Sequence, residues 1–246
     1  PNSFLPGVSA LDCHTELVEV DVLKKRAVFA RLGPDGQSTL FETDYEALVS
    51  TIPIPELVRR CHGLSTSIKE AASRLRYVSV YNVNLAVERA DISDKHWIYF
   101  PEKTYPFYRA GFPMNFSPAL GRPGCSSLYV EMSHRPEVQV SDEVLVGEVR
   151  LGLERAGILR GDDRLAVADV KNIHYAYVLF DRQRAVAVPA ILGELERHGI
   201  HSIGRYGRWE HTSMEDAMAQ GKVLAERLSQ ENALPLVGTG ASRDRS

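Results

Sequence analysis

The sequence predicts an α/β fold with a mixed or antiparallel sheet and flanking helices. Three observations carry that prediction. The opening alternates apolar and polar residues between tight turns with no helix between them, as a β meander does and a βαβ unit does not. Tyr77 to Val87 and Ala166 to Phe180 are long stretches of near alternation rich in β-branched and aromatic residues. Segments beginning near Asp142, Pro189 and Met214 instead repeat their apolar residues at helical spacing.

Taken in order, Leu17 to Leu23 alternates apolar and acidic residues, Lys24-Lys25 turns the chain, Arg26 to Leu32 returns, and Gly33-Pro34-Asp35-Gly36 turns it again. Tyr45 to Ile52 is apolar enough for a buried strand, and Pro53 and Pro55 end it ahead of a short helix through Arg60 that Gly63 stops. A second short helix is expected over Ser67 to Leu75. From Trp97 to Pro123 aromatics and prolines crowd together, which suits short strands and ordered loops. Ser126 to Ser133 reads as a strand. Ser141 caps a helix carrying Leu145, Val149 and Leu153 at i, i+4 and i+8, with Gly157 as its stop. Pro189 to His198 reads as a helix closed by Gly199, and Ile200 to Ile203 as a short strand leading into the turn Gly204-Arg205-Tyr206-Gly207. The last helix follows Ser213 with Met214, Ala217, Met218, Gly221, Leu224, Ala225 and Leu228, and the polar tail beyond about Asn232 is expected to be disordered.

Composition narrows the function classes. The 246 residues are 44% hydrophobic and 25% charged, which fits one or two globular cores. No apolar run approaches the roughly 20 residues of a membrane helix, and the N-terminus lacks the layout of a signal peptide, so neither membrane insertion nor export is expected. With 29 basic against 32 acidic side chains and no dense Lys/Arg block, nucleic acid is not an expected partner. Cys13, Cys61 and Cys125 are odd in number and form no CxxC pair, which argues against a disulfide framework and a thiolate metal site and makes the cytoplasm the default compartment. His198 and His201 straddle a helix-ending glycine and are not expected to bind metal.

No GxSxG, HExxH, P-loop or GxGxxG sits in the context its chemistry requires, and Gly238-Thr239-Gly240-Ala241 has no helix behind it. The informative stretch is Gly204 to Asp216. Its two glycines allow close backbone approach, and it delivers a helix N-terminus whose free N–H groups suit an anion or a polarised carbonyl. The same spacing also describes a plain strand-to-helix connection capped by Ser213, with Glu215 and Asp216 offsetting the dipole. Arg109 offers a planar fork for a phosphate or carboxylate, with a surface salt bridge as the other reading. Trp97, Tyr99, Phe107 and Tyr108 either line a pocket or fill a core. Asn82 and Asn84 alternate with apolar residues and so share one face of their strand.

Gly204 to Asp216 resembles the C-terminal flavin-contacting motif of UDP-galactopyranose mutases and related amine-oxidase-like or protoporphyrinogen-oxidase-like flavoproteins, in which a Gly-Arg-x-Gly turn precedes a helix aimed at the isoalloxazine. Asp44 to Ile54 is similar to that group's strand ending in a Ser-Thr-x-Pro turn. Tyr105-Pro106-Phe107-Tyr108-Arg109 followed by Asn115-Phe116-Ser117-Pro118 resembles its substrate-domain segment, in which an arginine meets a diphosphate. The likeness runs from about Leu17 to Leu228. It implies a cofactor, FAD, contacted by Gly204, Arg205, Gly207, Trp209, Ser213 and Met214. For Arg205 a structural ion pair remains the other reading. It implies an anionic substrate such as a nucleotide sugar near Arg109, Tyr108, Trp97, Tyr99, Asn84 and His211, the last standing where the mutases tend to place a tyrosine. No catalytic residue is assigned.

The resemblance divides the chain into a meander and strand of the flavin-binding domain (1–52), a substrate-binding domain (53–180), the C-terminal strand and helix of the flavin-binding domain (181–231) and the tail (232–246). Such flavoproteins begin with a Rossmann βαβ unit whose GxGxxG holds the FAD pyrophosphate, and no such unit is read here. FAD is therefore not expected to be held by this chain alone. A partner chain or an N-terminal half with a Rossmann unit, or self-association as a homo-oligomer, is expected to cover the face left open. The alternative is a flavin-independent binding module, or one half of a two-chain flavoenzyme.

Overall fold

The computed structural model describes residues 11–233, so the expectations for the tail from Leu234 onward, including the Gly238 to Ala241 motif, lie outside the described residues. In chain order the elements are β1 (Thr15–Asp21), β2 (Arg26–Leu32), β3 (Ser38–Asp44), β4 (Leu48–Ser50), α1 (Ile54–Arg60), β5 (Cys61–His62), α2 (Thr66–Ser73) and β6 (Tyr77–Val87). Then follow β7 (Trp97–Tyr99), β8 (Arg109–Gly111), β9 (Ser126–His134), α3 (Asp142–Arg155), β10 (Leu165–Val178), α4 (Arg182–Arg197), β11 (Ile200–Ser202), α5 (Gly204–Gly207) and α6 (Met214–Ala233). These make two compact units: one joins the chain up to Leu75 with the chain from Phe180 onward, the other is Arg76–Leu179. α1 and α2 fall in the first.

In the first unit β1, β2 and β3 form the expected antiparallel meander, and β5 adds to β1 in parallel. Asp21 turns the chain between β1 and β2 by accepting the N–H groups of Leu23 (3.1 Å) and Lys24 (3.0 Å), while Lys25 takes a left-handed φ of 52°. β4 pairs with β11 in parallel, separately from the meander. The core gathers Val20, Ile54, Leu57, Ile68, Ile191 and Leu195 from strands and helices on both chain segments.

Two boundaries and one helix stop differ from the sequence reading. The strand expected over Tyr45 to Ile52 is only three residues long, because the chain must leave the meander, with the Tyr45 N–H on Lys25 O, before Leu48 can reach Gly199 O and the parallel pair. α1 ends at Arg60 as expected, but the residue that stops it is Cys61, which goes extended to join β1, and not Gly63. α4 begins seven residues ahead of Pro189. Asp181 caps it by accepting the Arg184 N–H at 2.8 Å. The proline is tolerated inside the helix because it and Ala185, whose carbonyl loses its partner, both face solvent, while Ala187, Val188, Ile191 and Leu195 bury the opposite face.

The second unit is one antiparallel sheet in the order β10-β6-β9-β8-β7 with α3 against one face. Alternation fixes which side chains share a face. Val83, Leu85, Leu128 and Val130 point to the side where Leu145, Val149 and Leu153 of α3 complete the core. The opposite face carries the polar members of the same strands. A buried pair ties the end of β6 to the α3–β10 loop: Arg89 donates to both oxygens of Asp163 at 2.7 and 2.8 Å, and Asp163 also accepts the Arg160 N–H. Arg89 beside Asp163 holds that carboxyl down at about 2.

Candidate functional site

The polar face of the second unit is built by register. Pairing sets Lys171, Asn82, Glu131, Arg109 and Tyr99 in one row across five strands, with Asp169, Asn84, Tyr129, Gly111 and Trp97 in the next. Glu131 is the anchor. It is buried, one carboxylate oxygen accepts from Arg109 Nη2, and the other accepts from the Tyr108 hydroxyl. Arg109 also donates from Nη1 to the Tyr99 hydroxyl at 3.4 Å, and its Nε is buried without a hydrogen-bond partner. The guanidinium carbon lies 5.9, 6.0 and 5.9 Å from the ring centroids of Tyr99, Tyr108 and Tyr129, near the outer reach of a cation–π contact. Tyr129 lies so close over Gly111 that a Cβ there would come within 2.2 Å of the ring.

Protonation follows from these contacts. Burial works against the Arg109 charge, but Glu131 and Tyr99 outweigh it and raise its pKa above the ordinary arginine value. Burial pushes the Tyr108 phenol up, and Glu131 and Tyr177 push it further, so Tyr108 remains a donor. Arg109 therefore sits in a compensated cluster, and Lys171 is likewise paired with Asp169 at 2.7 Å. Asn84 reaches Asp169 at 3.5 Å, whereas the side-chain oxygen of Asn82 is buried with no hydrogen-bond partner. Trp97 and Tyr99 stand half exposed on the edge strand, Trp97 stacked on Phe116 at 5.9 Å. Register thus unites Arg109, Tyr99, Asn84 and Trp97, and Tyr108 joins them through Glu131. The salt bridge that sequence offered as the second reading of Arg109 is present, but it is partly buried and not superficial.

In the first unit the Gly204–Gly207 turn follows the carboxyl end of β11, beside the end of β4, where parallel strands commonly present their ligand loops. Ile203 N–H donates to Ser50 O at 2.9 Å and the Ser202 hydroxyl to Gly207 O at 2.9 Å, which locks the turn to both strands. Gly204 has a φ of +76°, a conformation that a Cβ would strain. Its N–H donates to the Gln220 side-chain oxygen at 2.7 Å, and Gln220 in turn donates to Glu210 at 2.7 Å.

Three of the expected features have local structural roles here. The turn expected over Gly204-Arg205-Tyr206-Gly207 is a four-residue helix. Trp209, expected at the cofactor, is fully buried with a left-handed φ of 52°, and its carbonyl accepts from Arg184 Nε at 2.6 Å. The start of α6, expected to stabilise negative charge, is already capped by its own acid: the Ser213 hydroxyl accepts the Asp216 N–H at 3.1 Å while Asp216 accepts the Ser213 N–H at 2.8 Å. Met214 is exposed, and the Thr212 hydroxyl is buried without a hydrogen-bond partner. The Arg205 guanidinium lies 5.6 Å from the Tyr206 ring. His211 is exposed, edge-on to Phe180 at 5.1 Å, and belongs to this unit rather than to the Arg109 cluster's unit.

Sequence reasoning missed Glu131, Tyr129 and Gln220. Period-two alternation along Ser126 to Ser133 held the signal for the first two, whose even-numbered neighbours Leu128 and Val130 are core. Gln220 lies mid-helix with no local signature. Among the described residues no group of His, Cys, Asp and Glu side chains is arranged to hold a metal, and no helix is long and apolar enough to cross a membrane.

This fold occurs in solved structures. A reduced UDP-galactopyranose mutase shares 24% identity with the chain at a TM-score of 0.75, covering 87% of this chain and 46% of that one. A protoporphyrinogen-oxidase-type protein from Exiguobacterium sp. 255-15 matches at 15% identity and a TM-score of 0.65, covering 88% and 47%. A CLA-producing fatty acid isomerase from P. acnes matches at 12% and 0.58, covering 87% and 47%. No protein-family model matches. The chain spans about half the length of the solved structures it matches. At these identities the shared property is the fold, the α/β fold of those proteins, which the sequence resemblance implied.

Proposed function

We propose that this chain is the substrate-binding and flavin-capping portion of an FAD-dependent oxidoreductase or mutase that acts on an anionic substrate such as a nucleotide sugar. The observation that carries the reading is the fold match over 87% of the chain to a reduced UDP-galactopyranose mutase. The Arg109 cluster supports an anion, since Arg109 is a quarter exposed and keeps donor hydrogens beyond those given to Glu131 and Tyr99.

The fit of the first unit to a flavin is partial. Gly204 to Gly207 at the strand ends, the unpartnered Thr212 hydroxyl and the exposed Met214 suit a capping contact. The Gly204 N–H and, at the start of α6, the Ser213 and Asp216 N–H groups are already bonded within the chain. When bound, the flavin supplies N5, as a nucleophile toward a sugar or as a hydride acceptor. In this reading Arg109 binds and orients the substrate anion, and Tyr99 and Trp97 shield one side of it from water.

A partner is part of the proposal. β11 has β4 as its only sheet neighbour among the described residues, and a groove of about 410 Å³ lined by Ile200, Ile203, Leu192, Val223 and Leu224 opens beside it. A dinucleotide-binding half, in the same or another chain, would continue the sheet there. The experiment is calorimetry with a nucleotide sugar on the chain and on the chain joined to such a half. Saturable binding lost in Arg109→Lys supports the reading; affinity indifferent to that substitution for every anion tried removes Arg109 from the site.

A further inference from the structure

We infer that Glu131 is the residue that sets the charge selectivity of the Arg109 site, acting against bare anions; the inference rests on the reading of Arg109 as a ligand contact. Glu131 lies beneath the polar face with its side chain 10% exposed, paired in register with Asn82 on one side and Arg109 on the other. Its two oxygens are held by different donors, Arg109 and Tyr108, so the carboxylate cannot swing aside without stranding one of them. An inorganic anion approaching the guanidinium meets this fixed negative charge through a partly desolvated medium, where like charges repel more strongly than in water.

The surroundings tell which ligand is favoured instead. Beside Glu131 the Asn82 side-chain oxygen is buried and lacks a hydrogen-bond partner, and on the far side of Asn82 the Lys171 ammonium is already given to Asp169. The row next to Arg109 is thus rich in acceptors. A ligand suits it when its anionic group reaches Arg109 and hydroxyl or ammonium donors on the same molecule face Asn82 and Glu131. Free phosphate and pyrophosphate bring the charge without the donors, and Glu131 disfavours them.

The test is calorimetric titration of inorganic pyrophosphate into the full chain. Glu131→Gln keeps the shape and an acceptor for Arg109 while removing the charge, and is expected to tighten pyrophosphate binding about tenfold or more. Adding Arg109→Lys should cancel the gain. Glu131→Met, which also removes the charge, should shift affinity in the same direction and serves if the glutamine variant folds poorly. Pyrophosphate binding in the wild type that is unchanged or weakened in both variants overturns the inference, leaving Glu131 as an orienting residue and the Arg109 reading intact. Absence of pyrophosphate binding in the wild type and in every variant overturns the Arg109 reading together with the inference.

Discussion

Arg109 and Gly204 each stand at the centre of a polar arrangement, one in each unit, and the two differ in how they are fixed and in what already occupies them. Arg109 is placed by the register of a five-stranded sheet, so its neighbours Glu131 and Tyr99 are set by backbone hydrogen bonds that no side chain can alter. Gly204 is placed by a turn whose polar groups are occupied locally: its own N–H by Gln220 of α6, the Ile203 N–H by the Ser50 carbonyl, and the Gly207 carbonyl by the Ser202 hydroxyl. The sheet face is preorganised by its register, and Arg109 keeps donor hydrogens to spare. The turn must exchange an internal partner for any ligand that claims the Gly204 N–H. A strand register can hold a binding face ready at little cost, whereas a glycine turn tends to close on itself unless something outside it intervenes.

The contrast can be broken most forcefully at Arg109. Arg109→Met leaves Glu131 as a buried carboxylate without its cation, so it should destabilise the second unit by about 3 to 5 kcal/mol. Urea unfolding followed by near-UV circular dichroism reads this; a loss under 1 kcal/mol would mean that Glu131 is reached by water and the cluster is not preorganised. In the first unit Gly204→Ala forces a left-handed φ on an L residue and should cost about 1 kcal/mol, and Gln220→Ala a similar amount through two lost hydrogen bonds. Differential scanning calorimetry of both variants sharpens the comparison, since losses as large as that of Arg109→Met would make the turn as rigidly determined as the sheet.

A further expected effect is one of pH. The folded-state pKa of Asp163 lies at about 2, below its ordinary 3.8, because it is bonded to Arg89. A depressed carboxylate adds stability that is present above the unfolded pKa and is lost as pH falls through the folded one. The second unit should therefore lose stability between about pH 4 and pH 2, and Asp163→Asn should flatten that part of the profile. An unaltered acid profile in the variant would show that other carboxylates govern it.

Much of this fold was legible in the sequence, for reasons that particular residues make plain. Tyr77 to Val87 is a strand with the bounds its alternation suggests, because a strand buried on one face must keep period two. Ser141 and Ser213 mark the starts of α3 and α6, Ser213 with its hydroxyl accepting the Asp216 N–H and Ser141 at the N-cap position without a side-chain bond. Pro189 misled because proline is favoured at helix starts, and only the solvent on that face of α4 explains why it sits inside. The site was half legible. Arg109 and Tyr108 stood out among aromatics, but the partner that decides what Arg109 can do is 22 residues away, and sequence spacing carries no information on which strands become neighbours. Trp209 was a cofactor contact only by resemblance, and local sequence could not show that its indole is wholly buried in the first unit, where its apolar surface adds to the core.

The central claim is that this chain supplies the substrate face and only capping contacts to a flavin. Titration of FAD into the purified chain, followed by quenching of flavin fluorescence, tests it most directly. With the Gly204, Ser213 and Asp216 N–H groups already bonded within the chain and the phosphate-binding Rossmann unit expected elsewhere, the dissociation constant of the chain alone is expected to be weaker than about 0.1 mM. Joining a dinucleotide-binding half should tighten it by orders of magnitude. A submicromolar constant for the chain by itself would contradict the account, because it would require a complete dinucleotide site within these residues.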